Sequence, residues 1–145
     1  GVFEFYEALA EEKSITLRCT GAGVVSGDRL MLRRAISNVM SNALRYTPEG
    51  MSIAVAIEED SAAISLTVAN PGKPIPAEHL PRLFDRFYRV DGSRQRFSDG
   101  VGLGLAITRS IMRAHGGDAD VRSDAAGTVF TLTFPRQLPE TDDGA

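Results

Sequence analysis

The sequence predicts an α/β domain: a two-layer sandwich in which a mixed, mostly antiparallel sheet carries helices on one face. Three observations lead there. Ser52–Glu58 and Ala63–Val68 both alternate apolar and polar residues, and the short polar linker Glu59-Asp60-Ser61 makes them a hairpin. Asp118–Ser123 and Thr128–Phe134 repeat that pattern around the turn Asp124–Gly127. Between the strands lie two stretches with helical apolar spacing, so the elements follow as β-α-ββ-loop-α-ββ.

Taken in order, Phe3 to Glu12 reads as a short helix with Phe5, Leu9 and Ala8 facing inward. Ser14 to Cys19 alternates, with Ile15 and Leu17 on one side, and reads as a strand. Asp28 is placed to cap a helix that carries the apolar stripe Leu32–Ile36–Val39–Ala43 and ends near Tyr46, because Pro48 pushes Thr47 out of helical geometry. The second hairpin strand runs into Asn70-Pro71-Gly72-Lys73-Pro74-Ile75-Pro76, which cannot continue a sheet. Ala77 to Phe87 reads as a helical turn or two, with Phe84, Phe87 and Tyr88 as an aromatic cluster. Arg89 to Gly100 lacks apolar periodicity and reads as a long functional loop. Gly100-Val101-Gly102-Leu103-Gly104 then opens a helix carrying Leu105, Ile107, Ile111 and Ala114, which stops at Gly116-Gly117.

The chain has 145 residues, 43% hydrophobic and 24% charged, which suits one soluble domain over 1–135 followed by a disordered acidic tail over 136–145. A net charge of −3 argues against a general nucleic-acid binder. No apolar run is long enough to span a bilayer, so this segment is expected to make no membrane contact. The single cysteine, Cys19, excludes an internal disulfide and fits a reducing compartment. Cys19, His79 and His115 show no metal-ligand spacing. The opening Gly-Val-Phe-Glu-Phe reads like a start inside a larger protein.

The residues that could carry chemistry converge on a polyphosphate. Asn38, Asn42 and Arg45 share one face of the long helix, beside the apolar stripe. Asn42 can give a carboxamide oxygen to a magnesium ion otherwise held by phosphates and water. The glycines Gly100, Gly102 and Gly104 let backbone N–H groups and a helix N-terminus approach phosphate oxygens. The stretch Arg82–Asp99 holds five arginines (Arg82, Arg86, Arg89, Arg94, Arg96) against three acids and reads as a basic lid. Asn70, where a strand ends, can both accept and donate, as a reader of adenine must. A rival site, Gly21-Ala-Gly23-Val-Val-Ser-Gly27, sits between a strand and a helix as a dinucleotide loop would. It is set aside because the helix leads into what reads as an antiparallel hairpin rather than a parallel crossover strand.

In this order the motifs resemble the catalytic ATP-binding domain of sensor histidine kinases, which has the Bergerat fold. Ser37 to Pro48 resembles the N box, Val68 to Ile75 the G1 box, Leu83 to Arg89 the F box, Gly100 to Ile107 the G2 box, and Gly127-Thr128-Val129-Phe130 the last glycine–threonine motif. The wording from Asn70 to Asp91 is similar to the heavy-metal (copper/silver) sensor kinases. The resemblance implies ATP and Mg²⁺ as cofactors, with Asn38, Asn42 and Arg45 as the catalytic groups and Asn42 as the metal ligand. It implies nucleotide contacts from Tyr46, Asn70, Gly72, Ile75, Phe87, Arg94, Gly100, Val101, Gly102, Leu103, Gly104, Leu105 and Thr128. It further implies transfer of the γ-phosphate to a histidine on a separate dimerisation domain, and a response regulator as partner. The isolated domain would be a cytoplasmic monomer that binds ATP and turns it over little. The full-length kinase would be a homodimer anchored in the bacterial inner membrane.

Two residues depart from the family pattern. Asn70 stands where Asp is usual, and Pro74 where a second glycine is usual. Asn38 takes the place of the water-activating Glu of related ATPases, and an amide cannot take a proton. A nucleotide-responsive switch module of the same fold, and a domain that has lost ATP, remain the alternatives.

Overall fold

The computed structural model describes residues 2–21, 27–72, 74–85 and 104–135. The elements are α1 (Val2–Glu12), β1 (Thr16–Thr20), α2 (Arg29–Tyr46), β2 (Ser52–Glu59), β3 (Ala63–Asn70), a short 3-10 turn (Leu80–Arg82), α3 (Gly104–Ala114), β4 (Asp118–Asp124) and β5 (Gly127–Pro135). Phe87, Arg94, Gly100, Val101, Gly102, Leu103 and the tail over 136–145 lie outside the described residues.

One five-stranded sheet has the order β1-β2-β3-β5-β4. Both expected hairpins are present as antiparallel pairs, β2 with β3 and β4 with β5. β1, however, pairs parallel to β2. The unit β1–α2–β2 is therefore a parallel crossover, and the ground on which the Gly21–Gly27 dinucleotide reading was set aside does not hold. A strand can begin an antiparallel hairpin on one edge and close a parallel crossover on the other; the sequence between Tyr46 and Ser52 does not distinguish the two.

The core lies between one sheet face and the helices. Ile53 and Val55 of β2, Ile64, Leu66 and Val68 of β3, and Phe130, Leu132 and Phe134 of β5 are all buried there. Their registers, Val68 opposite Phe130 and Leu66 opposite Leu132, put them on one face, as period-two alternation requires. The helices supply Leu32, Ala35, Val39, Met40, Ala43 and Leu44 from α2 and Ile111 and Met112 from α3.

α2 begins as expected: Asp28 caps it, its side chain accepting from the Met31 N–H at 3.1 Å. α3 runs antiparallel to α2, joined at three levels. The Asn38 amide donates to the Gly104 carbonyl at 3.0 Å, Thr108 Oγ1 donates to the Ala35 carbonyl at 3.1 Å, and His115 Nε2 accepts from the Asp28 N–H at 3.0 Å. Two inward faces differ from expectation. Phe5 is 60% exposed and Ala8 is exposed, while Tyr6 and Ala10 turn in, because the Tyr6 hydroxyl finds Ser37 O and Ser41 Oγ on α2. On α3, Ala114 is exposed and Thr108 is fully buried, since its hydroxyl has the α2 carbonyl to satisfy it.

Candidate functional site

At one end of the core, where α2, α3 and the sheet meet, two groups of polar side chains face the same layer. The first is the α2 stripe. Asn38, Asn42 and Arg45 are all half-buried, as expected for a face between core and solvent. The Asn38 amide is spent in part on Gly104, the first residue of α3. That bond seats the N-terminus of α3 against the stripe, and the first-turn N–H groups of a helix favour an anion there. A Cβ added at Gly104 would make ordinary contact with Asn38, 3.7 Å from its Cγ. The Arg45 guanidinium sits 5.8 Å from the centre of the Tyr46 ring, which is 51% exposed. Leu105, in the first turn of α3, is half-buried and packs against the core.

The second group is a row across three strands. β3 continues two residues beyond the expected Val68, so Asn70 enters the ladder directly opposite Thr128 of β5, and Thr128 lies opposite Ser123 of β4. Parity puts all three side chains on the core-facing side. Asn70 and Thr128 are buried, 7% and 5% exposed. The approach is close at Gly127, where φ is +131° and an added Cβ would stand 2.4 Å from the Asn70 carbonyl oxygen; only glycine allows it. Asn70 Nδ2 donates to the Pro71 carbonyl at 3.2 Å, leaving Oδ1 as the amide's accepting end.

The chain leaving β3 ties the two groups together. Gly72, with φ +136°, passes within 3.3 Å (from an added Cβ) of the Tyr46 carbonyl at the end of α2. Farther along, the Ile75 N–H donates to Ser123 Oγ at 2.8 Å, and the Ile75 side chain packs on the core. Thr47 closes α2 with a buried hydroxyl donating to the Ala43 carbonyl at 2.6 Å. Tyr46, Gly72, Ile75, Asn70 and Thr128 are thus brought together from three sequence regions.

The donor set suits a metal that arrives with its own ligands. Among the described residues no three His, Cys, Asp or Glu side chains group as a metal cage. The Asn42 carboxamide is the kind of single oxygen that, with phosphates and water, completes a magnesium shell.

The comparisons with known proteins settle the family. Residues 27–138 match the family described as "Histidine kinase-, DNA gyrase B-, and HSP90-like ATPase". The chain belongs to this family. It is 57% identical over 135 residues to the sensor histidine kinase CusS of Escherichia coli (strain K12), covering 92% of this chain and 28% of that protein. Its fold matches the mycobacterial sensor histidine kinase MprB, with a TM-score of 0.78, 27% identity and coverage of 92% of this chain and 91% of that one. It also matches full-length ShkA in complex with AMPPNP, with a TM-score of 0.77, 25% identity and coverage of 92% and 28%. The resemblance drawn from the sequence, down to the heavy-metal sensor kinases, is borne out by these relatives.

Two residues beside these groups do not follow from the motifs. Ser123 completes the Asn70–Thr128 row; counting back from the turn Asp124–Gly127 in hairpin register would have found it. Arg109 of α3 stacks 4.1 Å from the centre of the Phe84 ring, and its Nε and Nη2 both donate to the Ala119 carbonyl at 3.2 and 2.7 Å. Phe84 in turn meets Phe130 edge-on, with ring centres 6.3 Å apart. Arg109 thus braces α3 against Phe84 and against β4. Phe84's aromatic partner here is Phe130; Phe87 and Tyr88 lie outside the described residues. Among the described residues no helix is long and apolar enough to cross a membrane.

Proposed function

We propose that this domain binds ATP with Mg²⁺ and, within a longer kinase, presents the γ-phosphate to a histidine on a separate helical dimerisation domain, from which it passes to a response regulator. One observation carries the reading. A buried row built to pair with a base, Asn70 and Thr128, opens on the same end of the core as a helix face of amides and an arginine with a second helix N-terminus seated on it.

The protein's share of the chemistry is positioning and charge. Asn70 Oδ1 accepts from the exocyclic amine of adenine and Thr128 serves the adjoining ring nitrogen, fixing the base. Tyr46, Gly72 and Ile75 wall the base. Asn42 supplies one oxygen to the metal, while Arg45 and Asn38 lie where phosphate charge accumulates. Gly100, Val101, Gly102, Leu103, Gly104 and Leu105 line the phosphates, and Arg94 and Phe87 belong to the lid. The bound Mg²⁺–ATP brings the phosphoryl group and the neutralising charge. Asn38 cannot take a proton from water, which supports transfer to a histidine over hydrolysis. The chain spans 28% of the length of CusS, so dimerisation, membrane anchoring and metal sensing belong to the rest of such a protein.

Calorimetric titration with ATP and ADP, with and without Mg²⁺, tests the first half: absence of binding at millimolar ATP sinks it. Labelled phosphate appearing on a histidine of the full-length protein, and then on a response regulator, tests the second. Nucleotide binding without any phosphohistidine would mark a switch module instead.

A further inference from the structure

The row Asn70–Thr128–Ser123 ends in a hydroxyl pair with two possible proton arrangements. Ser123 Oγ accepts from the Ile75 N–H at 2.8 Å and lies 2.8 Å from Thr128 Oγ1. A serine hydroxyl has one proton to give and two lone pairs. Either hydroxyl of the pair can donate. In the arrangement where Ser123 donates to Thr128, Ser123 spends its proton inside the row; in the opposite one it is Thr128 that spends its proton there. In the first arrangement Thr128, 5% exposed, keeps its own proton for what lies beyond the row. Beside it, Asn70 has its Nδ2 on the Pro71 carbonyl and Oδ1 as the accepting end.

The edge so formed offers an acceptor next to a donor. A 6-amino purine presents the complement, an N–H beside a bare ring nitrogen. A 6-oxo purine presents a carbonyl beside an N–H: the carbonyl meets Asn70 Oδ1, acceptor against acceptor, and the N–H meets a hydroxyl that is mismatched only while its proton points at the base. A site built this way rejects the mismatched analogue strongly, because its buried polar groups are left unpaired.

We propose that Ser123 is a positioning residue: by accepting from the Ile75 N–H and donating to Thr128, it sets the direction of the Thr128 hydroxyl and so selects 6-amino over 6-oxo purine nucleotides. The inference rests on the reading of Asn70 and Thr128 as the base subsite. Ser123 need not touch the nucleotide. It also anchors the chain after β3 at Ile75, so its loss loosens one wall of the same subsite.

The experiment compares ADP and GDP affinities, by calorimetry with Mg²⁺, for the 145-residue chain and its variants, with inorganic triphosphate as a base-free probe and the melting temperature recorded for each. Ser123→Ala is expected to weaken ADP roughly five-fold, the equivalent of one hydrogen bond, and to reduce the ADP-over-GDP preference by a similar factor. Triphosphate affinity should hold, and Ser123→Thr, which keeps the hydroxyl, should restore the preference. An unchanged ADP/GDP ratio in Ser123→Ala, whatever happens to the melting temperature, overturns the proposal and leaves Ser123 a packing residue. If the unaltered chain binds no ADP, the base-subsite reading itself has failed, a distinct result. Should Ser123→Ala not fold, Ser123→Cys, with its weak thiol donor, replaces it and the same ratio decides.

Discussion

The two halves of the candidate site are built on opposite plans. The phosphate-facing half is one face of one helix. Asn38, Asn42 and Arg45 recur at helical spacing, stay half-buried and owe their alignment to local geometry alone. The base-facing half is a row taken one residue at a time from three strands, buried at Asn70 and Thr128, half-buried at Ser123, and held by cross-strand register. A helix face tolerates the loss of a side chain because its backbone hydrogen bonds are internal. The strand row does not, since Thr128 and Ser123 are hydrogen-bond partners and Asn70 and Thr128 are shielded from water. The comparison teaches where function and stability separate: they are separable at Asn42, but joined at Asn38, which holds the start of α3, and in the row.

Substitutions sharpen that contrast. The largest effect is expected from Asn42→Ala. The gain in ATP affinity on adding Mg²⁺ should fall about 10–100-fold, while adenosine binding and the melting temperature barely move; a preserved Mg²⁺ effect would remove Asn42 as the ligand. Next, Thr128→Val should weaken ATP and adenosine alike by roughly ten-fold and also lower stability, because Ser123 is left without its buried partner. An effect on ATP but not adenosine would break the division between the halves. Asn70→Asp is the informative companion: a carboxylate keeps the acceptor and loses the bond to Pro71, so ATP affinity should stay within about three-fold.

Arg109→Met tests the brace. It removes the stack on Phe84 and both bonds to the Ala119 carbonyl, at an expected cost of about 1–2 kcal/mol in denaturant unfolding. The smallest effect is Asp118→Asn. The Ala119 N–H, then Arg113 and Arg109, hold the Asp118 carboxyl below its usual range. A lowered folded-state pKa adds stability above the ordinary carboxylate range and loses it as pH falls through the folded value. The variant should therefore melt about a degree lower at pH 7, with the gap closing below about pH 4.

What could be read from the residues follows the same divide. Asp28 as N-cap, the α2 stripe, the end of α2 before Pro48 and both hairpins are short-range features, and each is present. The inward face of α1 is not legible locally, because Phe5 outranks Tyr6 in hydrophobicity alone; the hydrogen-bond partners of Tyr6 are on α2, more than thirty residues away. Thr108 was passed over for the same reason, its partner being the Ala35 carbonyl. The direction of β1 could not be read at all: alternation identifies a strand and its buried face, and parallel and antiparallel neighbours satisfy it equally.

By itself, then, the sequence determined the elements, the buried faces of the strands and of α2, the family motifs and the amide stripe on α2, because those depend on spacing along one chain segment. Only the tertiary structure decided that β1 runs parallel to β2, that Asn38 seats the start of α3, that Arg109 locks Phe84, and that Ser123 stands beside Thr128. Each of these joins groups distant in sequence or resolves a choice that local pattern leaves degenerate. Burial makes the choice consequential, since a polar atom away from water must find its partner wherever the fold has placed one.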